Sequence, residues 1–300
     1  MIDKNSRYHV FQILSKFEQS NKHLKFVRNT YFDRNNLTQH QISRSFVLSN
    51  EVVRWKRRLD YWIDKNLDKS IKKLNPRVLQ ILRLGYYESV IDNSIPSYAA
   101  VNSWVELSKK IFNKKIAGFI NAVLRKSNDI NPYKRDNNQT IGSWYSYPDW
   151  LVKDWIKKYG KNKTIQLCDW FNLPTYTDIR INSNLENVKK FISDLSIDNK
   201  NSPFSDRFIR IESGIKEIIS SKYFKSGYIN VQDRASGAIV ELLSPSKDST
   251  VLDVCAAPGS KSIYLLEMMK GKGNILCSDI DEERVKIGKN RTEKFNLPIK

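Results

Sequence analysis

The segment Thr250-Val-Leu-Asp-Val-Cys-Ala-Ala-Pro-Gly-Ser-Lys261 decides how the C-terminal part of the chain is read. Val251 to Val254 is a short apolar run of the kind that forms a buried parallel strand. Ala256 to Ser260 follow at once, with small side chains and a Pro-Gly turn signal. A helix is expected from about Lys261, with Leu265, Leu266 and Met269 on its inner side. Asn274-Ile-Leu-Cys-Ser278 then reads as a second strand ending at Asp279. The next helix places Val285, Gly288, Thr292 and Phe295 on one face. The order β-α-β-α is the opening of a doubly wound sheet.

A small-residue turn between strand and helix lets a ligand lie against bare backbone N–H groups at the helix N-terminus. An acid ending the second strand can accept hydrogen bonds from a ribose diol. Asp279 lies 20 residues after Gly259, the separation expected of such a pairing. The turn has no G-x-G-x-x-G pattern, which argues against a dinucleotide. Spacing leaves S-adenosyl-L-methionine as the leading ligand, with another nucleotide or a purely structural turn as the alternatives.

Working outward, residues 143–230 mix elements. Trp150 to Tyr159 reads as a helix, Thr177 to Asn182 and Phe208 to Ile211 as strands, and Val188, Phe191, Ile192 and Leu195 as a helical stripe. This is a small α+β module. Residues 128–142 are rich in Asn, Asp and Pro and read as a linker. Residues 1–127 read as a helical bundle. Asn75-Pro76 supplies an N-cap and a first-turn proline. Val78, Leu79, Leu82 and Tyr86 form one apolar stripe, Val101, Trp104, Val105 and Ser108 a second, and Ile116, Phe119, Ile120, Val123 and Leu124 a third. Tyr8, Phe11, Leu14 and Ser15 mark an amphipathic first helix. Gly118 is a candidate for close helix approach. Residues 231–300 complete the division as the N-terminal part of a Rossmann-like domain.

Fifty-one Lys and Arg against 32 Asp and Glu give a net charge of +19 over 300 residues. Residues 1–150 hold 26 of the basic and 13 of the acidic side chains. An excess of this kind repels itself and points to a polyanionic partner. Basic clusters fall at Arg54, Lys56, Arg57 and Arg58, at Lys72 and Lys73, and at Lys109, Lys110, Lys114 and Lys115. Cys168, Cys255 and Cys277 are too few and too far apart for a disulfide scaffold or a metal motif, which suits a reducing, cytoplasmic setting. The start has no apolar core of a signal peptide, and no run of about 18 apolar residues suggests a membrane span. His9, His23 and His40 have no metal or triad spacing. Trp144, Tyr145, Tyr147 and Trp150 suit a hydrophobic seam better than base stacking.

Asp253-Val-Cys-Ala-Ala-Pro-Gly-Ser-Lys261 resembles the cofactor motif of the RNA 5-methylcytosine methyltransferases, D-x-C-A-A-P-G-G-K. Gly227-Tyr-Ile-Asn-Val-Gln-Asp233 is similar to the Val-Gln-Asp segment that precedes it. Tyr147-Pro-Asp-Trp-Leu151 and Trp155-Ile-Lys-Lys-Tyr-Gly160 resemble the start of that family's middle module. Leu82-Arg-Leu-Gly-Tyr-Tyr87, Ile95-Pro-Ser-Tyr-Ala-Ala-Val-Asn102 and Gly118-Phe-Ile-Asn-Ala-Val-Leu-Arg125 resemble the NusB-type domain of antitermination factors. The combination resembles the bacterial 16S rRNA cytosine-5 methyltransferases. It implies a multidomain fold: an all-α NusB-like bundle, a small α+β module, and the start of an α/β methyltransferase domain.

By that resemblance Cys255, Ala256, Ala257, Pro258, Gly259, Ser260 and Lys261 wrap S-adenosyl-L-methionine, and Asp279 binds its ribose. The partner is 16S rRNA or a small-subunit precursor, with no membrane and no metal. Ser260 stands where the family has a second glycine, which matters if that position needs positive φ. Cytosine C5 is a poor nucleophile, and the family activates it by attack of a cysteine thiolate on the neighbouring ring carbon. Its Pro-Cys-Ser and Thr-Cys-Ser motifs do not occur in this sequence. The catalytic cysteines are therefore expected beyond Lys300, and none of residues 1–300 is assigned as catalytic. The alternatives are a NusB-like RNA-binding protein without turnover, or a methyltransferase acting on another RNA.

Overall fold

The computed structural model describes residues 5–92, 94–182 and 185–294. Contacts divide the chain into two compact units, Met1–Leu173 and Pro174–Lys300.

The first unit is helical: α1 (Ser6–Glu18), α2 (Leu24–Asp33), α3 (Gln39–Arg54), α4 (Lys56–Lys65), α5 (Pro76–Tyr86), α6 (Ser97–Ile111), α7 (Lys114–Arg125), α8 (Ile141–Tyr145), α9 (Asp149–Tyr159) and α10 (Lys161–Asn172). Local chemistry sets the starts. The Asn75 side chain accepts the Arg77 N–H ahead of Pro76, and Thr38 and Gln41 form a capping box. The expected stripes face one core, in which Phe11, Leu14, Leu82, Tyr86, Trp104 and Leu124 are all but fully buried. Tyr86 donates its hydroxyl proton to the Val123 carbonyl at 3.1 Å, tying α5 to α7.

Three details depart from the sequence reading. Gly118 faces open space, and Gly85 is the residue at a close approach: a Cβ there would lie 2.5 Å from a Leu124 methyl. Phe119, expected inward, is 39% exposed. Arg58, read as part of a solvent face, is buried with its guanidinium 3.5 Å over the Trp144 ring and 4.7 Å from Trp62. It also donates to the Pro132 carbonyl. Lys65 pairs with Asp136, and Arg57 bonds the Tyr147 carbonyl and Asp149. Of the stretch 128–142 read as a linker, residues 130–140 are irregular while its ends lie in a 3-10 turn (Lys126–Asp129) and in α8, and these contacts strap it and α8 to α4. Trp144 accordingly joins the bundle core.

The second unit begins with an antiparallel sheet of β1 (Thr177–Ile181), β2 (Asn199–Asn201), β3 (Phe208–Ile211) and β4 (Ile229–Val231), in the order β2-β3-β1-β4. α11 (Leu185–Asp194), α12 (Ile215–Ser220) and α13 (Lys222–Lys225) accompany it. Ile179, Ile181, Val188, Ile192, Ile209 and Ile218 form its core. α14 (Arg234–Leu243) follows, capped by the Asp233 carboxylate, which accepts the Ala235 and Ser236 amides. β5 (Thr250–Asp253) and β6 (Asn274–Cys277) pair in parallel, Val251 opposite Ile275 and Asp253 opposite Cys277. α15 (Ser260–Met268) crosses between them and α16 (Glu282–Lys294) comes after. The β-α-β-α order is as expected, and Phe295 lies outside the described residues.

Val251 and Ile275 pack with Tyr264, Leu265 and Met269. On the opposite face Leu252 and Val254 are each 63% exposed, so this strand is covered on one side rather than buried on both. A buried Arg180 joins the two sheets. It donates to Gln232 at 2.7 Å, pairs with Glu267 of α15, and lies 4.1 Å over the Tyr264 ring. No helix of the described residues is long and apolar enough to cross a membrane.

Candidate cofactor site

β5 ends at Asp253 and the chain turns through residues 254–259 into α15. Asp253 organises the strand end. One carboxylate oxygen accepts the Cys255 amide at 3.3 Å, and the other accepts the Ser262 hydroxyl at 2.9 Å. The Ala256 amide reaches across to the Ser278 carbonyl at 3.0 Å, beyond the end of β6. Gly259 then takes φ +91°, and its amide donates to the Ala256 carbonyl at 2.7 Å. A left-handed residue at this point is what aims α15 back along the strand, and glycine takes it without steric cost.

Ser260 begins α15 and is not among the positive-φ residues. The departure from the family's second glycine is therefore compatible with the backbone. Its hydroxyl accepts from Arg291 Nη1 at 3.1 Å. Ile263 N–H to Gly259 carbonyl, 2.9 Å, opens the intrahelical bonding. The amides of Ser260, Lys261 and Ser262 precede it and are the unpaired donors every helix N-terminus presents.

Asp279 follows β6 and faces this turn. Its Oδ2 accepts the Ala257 amide at 3.0 Å and its Oδ1 accepts the Asp281 amide at 3.1 Å. The Asp281 N–H is the main cause holding this carboxyl below the usual range; desolvation opposes it, and the Ala257 N–H, Arg284 and the Ile280 N–H add to the lowering. A carboxylate offers about four lone-pair sites, so these donors do not exhaust it. Ala256, Ala257 and Gly259 are buried, Pro258, Ser260 and Lys261 half-buried, and Cys255 exposed.

Sequence reasoning missed the contribution of α16. Arg284 donates to the Ala257 carbonyl, and Arg291 donates to the Pro258 carbonyl at 3.3 Å and to Asn230 of β4 at 3.0 Å. Gly288 sits between them, where an added Cβ would come within 3.6 Å of the Pro258 carbonyl group. The signal was legible: positions 284, 288 and 291 share one helical face. These arginines fix the carbonyl side of the turn and leave the α15 amides uncommitted.

Burial pushes the Cys168 and Cys277 thiols up, and for Cys277 the hydrogen bond with Ser262 at 3.3 Å offsets this only in part. Neither is an activated nucleophile. Among the described residues no group of three or more His, Cys, Asp or Glu side chains could hold a metal.

Residues 4–129 match the NusB family, and residues 240–299 match the 16S rRNA methyltransferase RsmB/F family. The chain is 29% identical over 295 residues to the probable ribosomal RNA small subunit methyltransferase B of Bacillus subtilis, covering 96% of this chain and 65% of that protein. It is 31% identical over 242 residues to the protein of the same description from Synechocystis, covering 76% and 53%. The chain thus spans about two thirds or less of the length of these relatives. The crystal structure of PH0851 superposes with a TM-score of 0.69 at 19% identity, over 97% of this chain and 67% of that one, a likeness of fold. Residues 4–129 are therefore similar to the NusB family and residues 240–299 to the 16S rRNA methyltransferase RsmB/F family, in one chain with an α+β segment between them.

Proposed function

We propose that this chain is part of a methyltransferase that uses S-adenosyl-L-methionine to methylate carbon 5 of a cytosine in 16S rRNA. The observation that carries the reading is the pairing of the 255–261 turn with Asp279 at the ends of two adjacent parallel strands, 3.0 Å from Ala257 N to Asp279 Oδ2. The donor set fits a nucleoside. Asp279 keeps lone pairs for a ribose diol, the first amides of α15 face a ligand's acceptors, and Gly259 adds no side chain to the cradle. Cys255 to Lys261 and Asp279 would hold the cofactor, which supplies an electrophilic methyl group when bound. The relatives named as rRNA small subunit methyltransferases and the net charge of +19 support RNA as the substrate. The NusB-like unit would hold folded RNA through its exposed lysines.

In this reading the chain's own residues bind and orient. Asp253 and Asp279 clamp the two strand ends to the turn, and Arg284 and Arg291 restrain its carbonyls. The cysteine nucleophile is assigned outside residues 1–300, in keeping with the raised thiols of Cys168 and Cys277.

Titration calorimetry of the chain with S-adenosyl-L-methionine tests the site. Asp279→Ala should weaken binding markedly, and an unchanged affinity would remove Asp279 from it. Bisulfite mapping of 16S rRNA from cells lacking the gene should show one cytosine without its methyl group. A full set of methylated cytosines would overturn the reaction.

A further inference from the structure

The helical pair α9–α10 leaves two indoles in solvent: Trp150 is 71% and Trp170 65% exposed. Burying such rings is among the larger apolar gains a fold has available. The Trp170 ring packs edge-on against Phe171 at 5.2 Å between centroids, Phe171 lies 5.9 Å from Trp155, and Trp155 lies 5.6 Å from Tyr147. Trp170 is thus the outer end of a braced row of rings, held in place while its face stays open. Trp150 stands on the first turn of α9.

Each indole shares a helical stripe with exposed polar or cationic side chains. Lys153 and Lys157 follow Trp150 by one and two turns, and Lys163 and Gln166 precede Trp170 by two turns and one. Along α9 the two lysines stand about 4.5 and about 10.5 Å from the Trp150 position at 1.5 Å per residue. The carboxylates nearby are engaged elsewhere. Asp154 pairs with Lys158 at 3.0 Å, Asp149 with Arg57 at 2.5 Å, and Asp169 accepts the Tyr145 hydroxyl at 3.2 Å. Lys153, Lys157, Lys161 and Lys163 have no ion-pair partner among the described residues. The outcome is two exposed stripes, one on each helix, with open ring faces and uncompensated positive charge.

We propose that the exposed stripes of α9 and α10 are contact sites for unpaired RNA, Trp150 on one and Trp170 on the other stacking on bases and the lysines taking the phosphates. Ring faces are offered only by unstacked bases, so the occupant is a single strand and not a duplex. A polyanion suits the free lysines better than a second copy of this chain, whose own net charge is +19. The proposal rests on the reading of the protein as an RNA methyltransferase only for the choice of RNA as the polyanion. It also revises the sequence-based preference for a hydrophobic seam, which holds for Trp144 but not for Trp150.

The test is fluorescence anisotropy of the whole chain with a labelled single-stranded RNA of about twelve nucleotides and with its duplex. Trp150→Ala and Trp170→Ala should each weaken single-strand binding about tenfold, while Trp150→Phe and Trp170→Phe keep most of it. Duplex binding should be unaffected. Lys157→Gln should reduce the salt slope by about 0.7. Circular dichroism confirms that each variant is folded. Single-strand affinity equal to wild type in both alanine variants overturns the contact sites and leaves the RNA reading standing. A wild-type chain that binds no RNA overturns both. Alanine variants that convert a dimer to a monomer on gel filtration, with RNA binding intact, reassign the stripes to a second copy of the chain.

Discussion

Adding one methyl group at Gly259 separates the backbone requirement of the turn from its packing. An added Cβ would find nothing closer than the Gly288 Cα, 4.0 Å away, so Gly259→Ala introduces no overlap. What remains is the φ of +91°, a region that costs an L-residue about 1–2 kcal/mol. That is a factor of about 5 to 30 in the folded population of this unit. The neighbouring Ser260→Ala is the control. Residue 260 is helical, alanine is the better helix former by about 0.5 kcal/mol, and the lost bond to Arg291 is worth about 1 kcal/mol. The two nearly cancel. Urea unfolding followed by far-ultraviolet circular dichroism should show Gly259→Ala shifted down and Ser260→Ala within about 0.5 kcal/mol of wild type. Equal shifts for the two variants, or none for Gly259→Ala, would refute a left-handed glycine as the pivot of the turn.

Further substitutions probe the rest of the chain. Gly237→Ala places a Cβ into the ring of fully buried Phe208 and should destabilise by about 1–3 kcal/mol in the same experiment. Gly118→Ala, facing open space in α7, should stabilise by up to about 1 kcal/mol. Burial pushes the Asp178 carboxyl up, but hydrogen bonds from Arg210 and Arg234 outweigh it and leave it below the ordinary value of 3.8. The folded form therefore holds extra stability above that value and loses it as pH falls through the lowered one. Acid unfolding should show this limb, and Asp178→Asn should flatten it. RNA binding to the whole chain should fall linearly in log affinity with log salt, and a flat response would count against phosphate contacts.

The sequence carried the turn at 254–260 better than its surroundings. The small residues from Ala256 to Ser260 and the spacing to Asp279 located the turn and its acid because those are local backbone requirements. The helical stripes of α5 and α6 were legible for the same reason: one face repeats. What escaped were pairings that periodicity does not encode. Phe119 fell on an apolar stripe but beyond the edge of the bundle. Arg58 looked solvated because nothing local announces that Trp144, far along the chain, will cover it. Gly85 and Gly118 are alike in sequence, and only the tertiary position of Leu124 tells which one is tight. Arg284 and Arg291 read as ordinary surface charge until the turn they restrain is in place.

The strap over α4 has a practical consequence for anyone dividing this protein. Composition invites a cut near residue 127, yet Arg58 draws its cover from Trp144 and one of its acceptors from Pro132. Severed there, the remaining piece would present the Trp55 and Trp62 rings to water beside a guanidinium whose pKa burial pushes down to about 10 in the intact chain. A cut after Leu173 keeps cation, indoles and carbonyl in one piece, and proteases should find that second point before the first.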